Sequence, residues 1–311
     1  MSLIYNATFD SQTRVLSLLD KAGNVISSCE VPSKGDPLTL TATADNSSVK
    51  LMKNGTLDNT YEVNTGNGWE DYAFNTVIPL NAGDICKWRC KSHPTTQSSS
   101  DYVQFVMKGT IEASGNCNSM LSSDFESITS LTEYSYAFNR MFYGCASLTK
   151  APELPATTLA QYCYREMFSR CQSLTQAPEL PATKLASNCY CEMFSYCQSL
   201  TKAPELPATK LAQSCYSYMF ESCQSLTQAP ALPAKYLAFS CYYVMFARCS
   251  KLKEVRIAAT GTNTYALDYW LSEVSAPGDF YCDPSATIFP TNSTSGIPKG
   301  WTRRNIADYP N

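Results

Sequence analysis

SLTKAPELPATTLAQYCYREMFSRCQ, residues 147–172, is one copy of a pattern that the chain repeats with small changes. Met141, Met167, Met193, Met219 and Met245 recur every 26 residues, and Cys145, Cys171, Cys197, Cys223 and Cys249 keep the same step. A fixed period in this range implies stacked units, none of which can bury its apolar side alone. Pro152 and Pro155 keep the first part of the unit extended. Thr157 or Thr158 then offers a cap for the second part. At 100° per residue, Leu159, Ala160, Cys163, Tyr164, Met167, Phe168 and Cys171 fall on one half of a helical wheel, so the spacing predicts a buried helix face. Each unit is therefore expected to run strand, turn, helix, turn. Strands stack at about 4.8 Å and helices at about 8–10 Å, so the array should curve with its strands inside.

Working outward, residues 116–144 contain the helix-like half (YSYAFNRMFYGC) without the strand half, as an N-terminal cap would. On the other side, SKLKEVRIAATG brings a β-branched strand, ALDYWLSEV a final helix and DFYCD a final strand, so 276–311 reads as a C-terminal cap. Trp270 and Trp301 are expected to close the open end of the core, with a ligand platform as the alternative. Upstream, 34–115 breaks into short alternating segments separated by turn signals such as Asn54-Gly55 and Asn67-Gly68, the pattern of an antiparallel β-sandwich. Within it, 94–101 is a polar loop. Residues 1–33 predict a three-strand meander, either a simple addition to the sandwich or a docking segment for a larger assembly.

The chain has 311 residues, 44% apolar and 16% charged, with a formal charge of −3 and no long basic run. That composition fits a folded protein and gives no footprint for nucleic acid. The opening MSLIYNATFD lacks a basic start followed by an apolar run, and no stretch approaches the roughly 18 apolar residues of a membrane helix. Export by a route other than a signal peptide, such as release of a finished particle by lysis, is expected. Most of the 15 cysteines belong to the repeat and are expected to be reduced and buried, because packed helices hold equivalent ones too far apart to bridge. Cys86, Trp88 and Cys90 share one strand face. With His93 they could suggest a metal, but CxxxC on a strand matches no zinc spacing, and core packing is expected instead.

The unit MFxxCxSLTxAPxLPAxxLAxxCYxx, four times over between Met141 and Val244, with KLKEVRI, WLSEVS and GIPKGWT after it, resembles the BspA-like branch of leucine-rich repeat proteins. The resemblance covers 116 to about 302. It implies a curved α/β leucine-rich-repeat solenoid with 26-residue repeats, here behind an Ig-like β-sandwich in an α+β multidomain chain with a solenoid over 116–275. Similar proteins are surface adhesins of gut and oral bacteria, and similar chains are carried by bacteriophages as particle proteins. The resemblance thus implies adhesion and host attachment, as a virion protein or alternatively as a bacterial cell-surface adhesin, and carries over no catalytic residue.

Sequence motifs for catalysis are lacking: there is no GxGxxG, GxxxxGK[ST], HExxH or GxSxG, and one histidine in the whole chain. No enzyme activity, cofactor or metal is expected. Glu166 and Glu192 recur once per unit and read as solvated surface. The copies differ most at Gln161, Tyr162, Arg165, Glu166, Ser169 and Arg170 and their equivalents, which a helix would turn outward. Either these positions drift, or an outer face was diversified to touch a partner. On the second reading the contact residues are Tyr162, Arg165, Arg170, Asn188, Tyr196, Ser217, Tyr218, Phe239, Tyr243 and Arg248, types suited to adaptable contacts. The rival is the strand face, with Lys150, Gln176, Lys202 and Gln228 in one row and Glu153, Glu179 and Glu205 in another. Expected partners are other virion or surface proteins through 1–115 and a host-surface protein or glycan through the repeats. No membrane insertion is expected, and self-association into a homo-oligomer is compatible with the pattern. A purely structural decoration protein is the remaining alternative.

Overall fold

A computed structural model describes residues 6–10, 15–30, 35–92, 98–263 and 265–309. His93 and the start of the polar loop expected over 94–101 lie outside them. Strands β1 (Asn6–Asp10), β2 (Val15–Leu19) and β3 (Val25–Glu30) form an antiparallel sheet, in the order of the expected meander.

Strands β4 (Leu38–Ala42), β5 (Ser47–Asn54), β6 (Thr60–Asn64), β7 (Trp69–Tyr72), β8 (Ile78–Leu80), β9 (Ile85–Ser92), β10 (Tyr102–Lys108) and β11 (Ile111–Ser114) come next along the chain. They form two sheets, β10-β5-β8 and β11-β4-β9-β6-β7. Inward residues alternate with outward ones, so Cys86, Trp88 and Cys90 are all buried. The Trp88 ring of β9 meets the Phe105 ring of β10 edge-to-face at 5.1 Å, joining the sheets. Burial pushes the Cys86 and Cys90 thiols up to about 12.

The repeats depart from the expected fold class. Among the described residues there is no α-helix; the helical elements are three short 3-10 turns, none of them in the repeats. The curved α/β leucine-rich-repeat solenoid is overturned, and the reason lies in the backbone bonding. In the first unit, the amides of Tyr162, Tyr164, Glu166, Phe168 and Arg170 donate to the carbonyls of Ser187, Cys189, Cys191, Met193 and Ser195 in the next unit, at 2.8–3.1 Å. The intervening amides of Arg165, Met167, Ser169 and Cys171 donate three residues back, at 3.0–3.3 Å. An α-helix would spend all of these amides within itself. Here half of them tie one unit to the next, and the segment becomes a string of tight turns.

Tyr162, Glu166 and Arg170 take φ of 59°, 54° and 65°, and three residues at the same four-residue spacing do so in each later unit. Both halves of the unit are therefore hydrogen-bonded to their neighbours, and the unequal spacing behind the expected curvature is absent. The extended half pairs in parallel only sparsely. Strand β12 (Leu148–Lys150) is followed by single bridges such as Gln176 to Lys202, since Pro178, Pro204 and Pro230 have no N–H to give.

Backbone bonding at one spacing brings like side chains face to face. Phe142, Phe168, Phe194, Phe220 and Phe246 stack with centroids 5.5–5.7 Å apart and planes within 9°. Tyr164, Tyr190, Tyr216 and Tyr242 form a second row at 5.7–5.9 Å. The cysteine row is just as regular. The Cys171, Cys197, Cys223 and Cys249 thiols donate to the carbonyls of Phe142, Phe168, Phe194 and Phe220 at 3.0–3.1 Å. The fourteen cysteines from Cys86 to Cys282 are free and buried. Without packed helices, helix spacing is not what keeps these thiols apart; each is occupied instead by a carbonyl of the phenylalanine row.

The Tyr164 and Tyr216 hydroxyls are buried without a hydrogen-bond partner. An orphaned hydroxyl costs about 1–3 kcal/mol. Tyr216→Phe is accordingly expected to raise the urea midpoint of the full chain, by about 1 kcal/mol in unfolding free energy; a loss of stability would mean that this hydroxyl has a partner.

The stack begins on the sandwich. Strand β12 pairs in parallel with β11, Ile111 opposite Leu148. The Phe105 amide of β10 donates to the Met141 carbonyl at 2.7 Å, and its carbonyl accepts the Cys145 thiol at 3.1 Å. The Phe105 ring stacks on Phe142 at 5.3 Å, so the phenylalanine row starts inside the sandwich. The β10–β11 hairpin thus stands where a preceding unit would. At the crossing, Gly115 has φ +72°, and a Cβ there would run into the Pro37 carbonyl, so only glycine fits.

At the far end β13 (Glu254–Arg256), β14 (Gly278–Cys282) and β15 (Trp301–Asn305) pair in parallel. Trp270 is fully buried and donates to the Gly296 carbonyl at 3.1 Å, and Trp301 donates to that of Ser275 at 3.2 Å. Both rings pack into the end of the core.

Candidate functional site

Two long faces of the stack reach solvent, one made of turns and one of extended segments. The turn face is not uniformly exposed. Ser169, Ser195, Ser217, Ser222, Cys191 and Ala247, which a helix would present to water, are buried. Ser217 donates its hydroxyl to the Ser240 carbonyl at 2.5 Å, and so holds neighbouring units together. Glu166 is likewise not solvated surface, being only 5% exposed. It accepts from Arg140 Nε and Nη2 at 2.9 and 3.0 Å and pairs with Arg165 at 3.0 Å. Arg165 reaches on to Glu192 at 3.5 Å. Burial, and then the Glu166 charge, hold the Glu192 carboxyl above the usual carboxylate range.

The other expected contact residues are accessible to differing degrees. Tyr162 is half-buried and stacks on Tyr136 at 4.6 Å. Arg170 is exposed, its guanidinium 4.9 Å from the centre of the half-buried Tyr196 ring. Asn188 is half-buried, as are Tyr218 and Tyr243, whose rings meet edge-to-face at 5.3 Å. Phe239 is exposed. Arg248 is exposed and bridges Glu221 at 2.9 Å and Glu273 at 3.3 Å. Ion pairs thus run the length of the turn face, from Arg140–Glu166 to Arg248–Glu273, while its most exposed aromatic rings lie towards the far end. Tyr265 and Tyr269 extend the aromatic part and carry no mark in the repeat pattern. The last unit is one residue shorter, with Val244 bonding to Asp268 where Tyr218 bonds to Tyr243, so they fall out of register with their equivalents.

The left-handed positions bear on function because glycine would adopt them at no steric cost. Across the four complete turn segments from 162 to 248 none is glycine, and Val244, a β-branched residue, sits at φ 57°. A non-glycine side chain there costs of order 1 kcal/mol. Asparagine tolerates this region better, so Val244→Asn is expected to stabilise the full chain by about 1 kcal/mol, read from chemical denaturation; a destabilised variant would show that Val244 packing outweighs its backbone cost.

On the extended face, Lys150, Gln176, Lys202 and Gln228 are exposed, and Gln228 donates to Glu254 at 2.7 Å. Glu179 and Glu205 are exposed and Glu153 half-buried. Between these rows lies a trough of about 620 Å³ walled by Gln176, Pro178, Glu179, Lys202 and Glu205. A second, of about 780 Å³, reaches Glu126 and Glu153. Among the described residues no group of three or more His, Cys, Asp or Glu side chains could hold a metal ion, and no helix is long and apolar enough to cross a membrane. No family model, curated protein or solved structure matches this chain.

Proposed function

We propose that the chain is a non-enzymatic binding protein that meets its partner through the turn face of the stack. What supports this reading is the choice of residues at the left-handed positions. Tyr162, Arg170, Asn188, Tyr196, Tyr218 and Arg248 occupy backbone sites that glycine would fill with less strain. Side chains kept at such a cost are there for what they touch, either the neighbouring unit or a partner. The half-buried rings and the exposed Arg170 and Arg248 guanidiniums lie where a partner can reach them. Following the resemblance in the repeats, the place of display is the outside of a bacteriophage particle, with 1–115 towards the particle and the repeats towards a host surface. The runner-up site is the extended face, favoured by its trough beside Glu179 and Glu205.

The test uses labelled full-length protein on whole bacterial cells. Changing Tyr162, Tyr196, Tyr218 and Tyr243 together to serine is expected to reduce attachment at least tenfold. Changing Gln176, Lys202 and Glu205 to serine is expected to leave it intact. The reverse outcome assigns binding to the extended face, and attachment that survives both sets removes the stack from the contact. Mass spectrometry of purified particles is expected to find the chain among their proteins; recovery from cell envelopes alone would favour a bacterial adhesin.

A further inference from the structure

The far end of the turn face has properties the rest of it lacks. All the largely exposed aromatic side chains among the described residues fall between 236 and 269: Tyr236 at 77%, Phe239 at 39%, Tyr265 at 55% and Tyr269 at 50%. Three contacts organise the last three of these with their half-buried neighbours. Tyr218 meets Tyr243 at 5.3 Å, Phe239 meets Tyr265 at 5.7 Å, and Tyr243 meets Tyr269 at 6.4 Å, each edge-to-face. An edge-to-face contact covers the rim of one ring and one face of its partner, and leaves the remaining faces uncovered by that contact. It also fixes the rings before any ligand arrives, which lowers the ordering cost of binding.

Tyr218, Tyr265 and Tyr269 stand at φ of 57°, 56° and 57°, so the backbone is strained at three of these five rings. The charged groups beside them lean negative, one arginine against three carboxylates. Arg248 is held by Glu221 and Glu273, and Asp268 accepts a hydrogen bond from Ser295 at 3.0 Å. The patch therefore offers ring faces and phenol hydroxyls, and its arginine is already held by two carboxylates, chemistry that suits a neutral, polyhydroxylated ligand with apolar C–H faces over an acidic one. Its size separates this from a protein partner. Large aromatic side chains cover 150–250 Å² each, so at these exposures the five rings present about 400 Å². A stable protein interface takes about 800 Å² from each side.

We propose that Tyr218, Phe239, Tyr243, Tyr265 and Tyr269 form a stacking platform for a neutral glycan. This rests on the binding reading above and names the partner class for one end of the same face.

The experiment is electrophoresis of the full chain through native gels containing soluble starch, galactomannan or xyloglucan, beside gels containing polygalacturonate and gelatin. At least one neutral polysaccharide is expected to retard the protein, with no loss in high salt because no charge is neutralised. The triple variant Phe239→Ser, Tyr265→Asn and Tyr269→Asn is expected to weaken that retardation about tenfold. If the triple variant unfolds, Tyr265→Asn alone at the exposed ring carries the same expectation to a smaller degree. No retardation by any neutral polysaccharide, or equal retardation of wild type and folded variant, overturns the assignment. So does retardation by gelatin alone that the variant abolishes, since that gives the patch to a protein. Loss of cell attachment in the four-tyrosine variant without neutral-glycan retention sinks the glycan and leaves the binding reading standing. Glycan retention lost in the triple variant, with attachment indifferent to the turn face, does the opposite.

Discussion

Phe194→Ala is expected to lower the unfolding free energy of the full chain by about 4 kcal/mol. Phe-to-Ala changes in a packed core cost about 3–5 kcal/mol through lost transfer energy and the cavity left behind. Phe194 lies at the upper part of that range because it is fully buried with ring partners on both sides, Phe168 and Phe220, each at 5.7 Å. Its carbonyl also accepts the Cys223 thiol at 3.1 Å, so relaxation of the site is restrained by the next unit. Equilibrium urea unfolding measures the change. A cost below about 1 kcal/mol would mean that the row repacks freely, and the fixed spacing of the units would be in question.

Removing residues 1–115 is expected to have a still larger effect: the remaining 116–311 should not give a soluble, cooperatively folded monomer. Without the β10–β11 hairpin, the stack presents Phe142, Met141 and Leu148, all buried in the whole chain, to water. Each large apolar side chain loses about 1.5–3 kcal/mol of burial. At the same time β12 becomes an open edge, the arrangement that pairs with other chains. Size-exclusion chromatography and the near-ultraviolet spectrum decide it; a monomeric fragment with the denaturation midpoint of the parent would show that residues 116–146 close the stack unaided. A gentler version, Phe105→Ala in the full chain, should act in the same direction because it removes the first ring of the row.

Much of the core was legible in the sequence, for a reason that also misled. Cys163, Tyr164, Met167, Phe168 and Cys171 are buried as the repeat pattern requires. Positions spaced i, i+1, i+4, i+5, i+8 fit one side of an α-helix over so short a length. They fit a string of four-residue turns equally well, and the difference in phase accumulates too slowly to tell them apart. Composition held a clue, since Tyr, Cys, Phe and Ser are middling helix formers. The turn chemistry held little, because the left-handed sites carry Tyr, Glu, Arg, Ser and Val where glycine would have announced them, and only Asn188 is of a type that favours the region.

The site was legible only in part. The accessible tyrosines and arginines followed from comparing the copies. Ser217 and Glu166 did not, because their burial depends on bonds to neighbouring units that only the turn geometry creates. Tyr265 and Tyr269 were hidden by the single-residue contraction of the last unit, which moves them off the 26-residue register. Residues 1–33 gave their strands but no indication of what the sheet packs against, since three strands leave too little buried area to specify a neighbour.

The alternate-amide bonding also bears on length. A unit that receives hydrogen bonds on one side and returns the same set on the other is chemically indifferent to how many of its kind stand between the two ends. Inserting or excising one whole copy would leave every donor matched and shift the terminal rings along the axis by about 4.8 Å. Gene duplication could therefore set the reach of this molecule in discrete increments, and the aromatic end would travel outward with each addition while the sandwich stayed where it is.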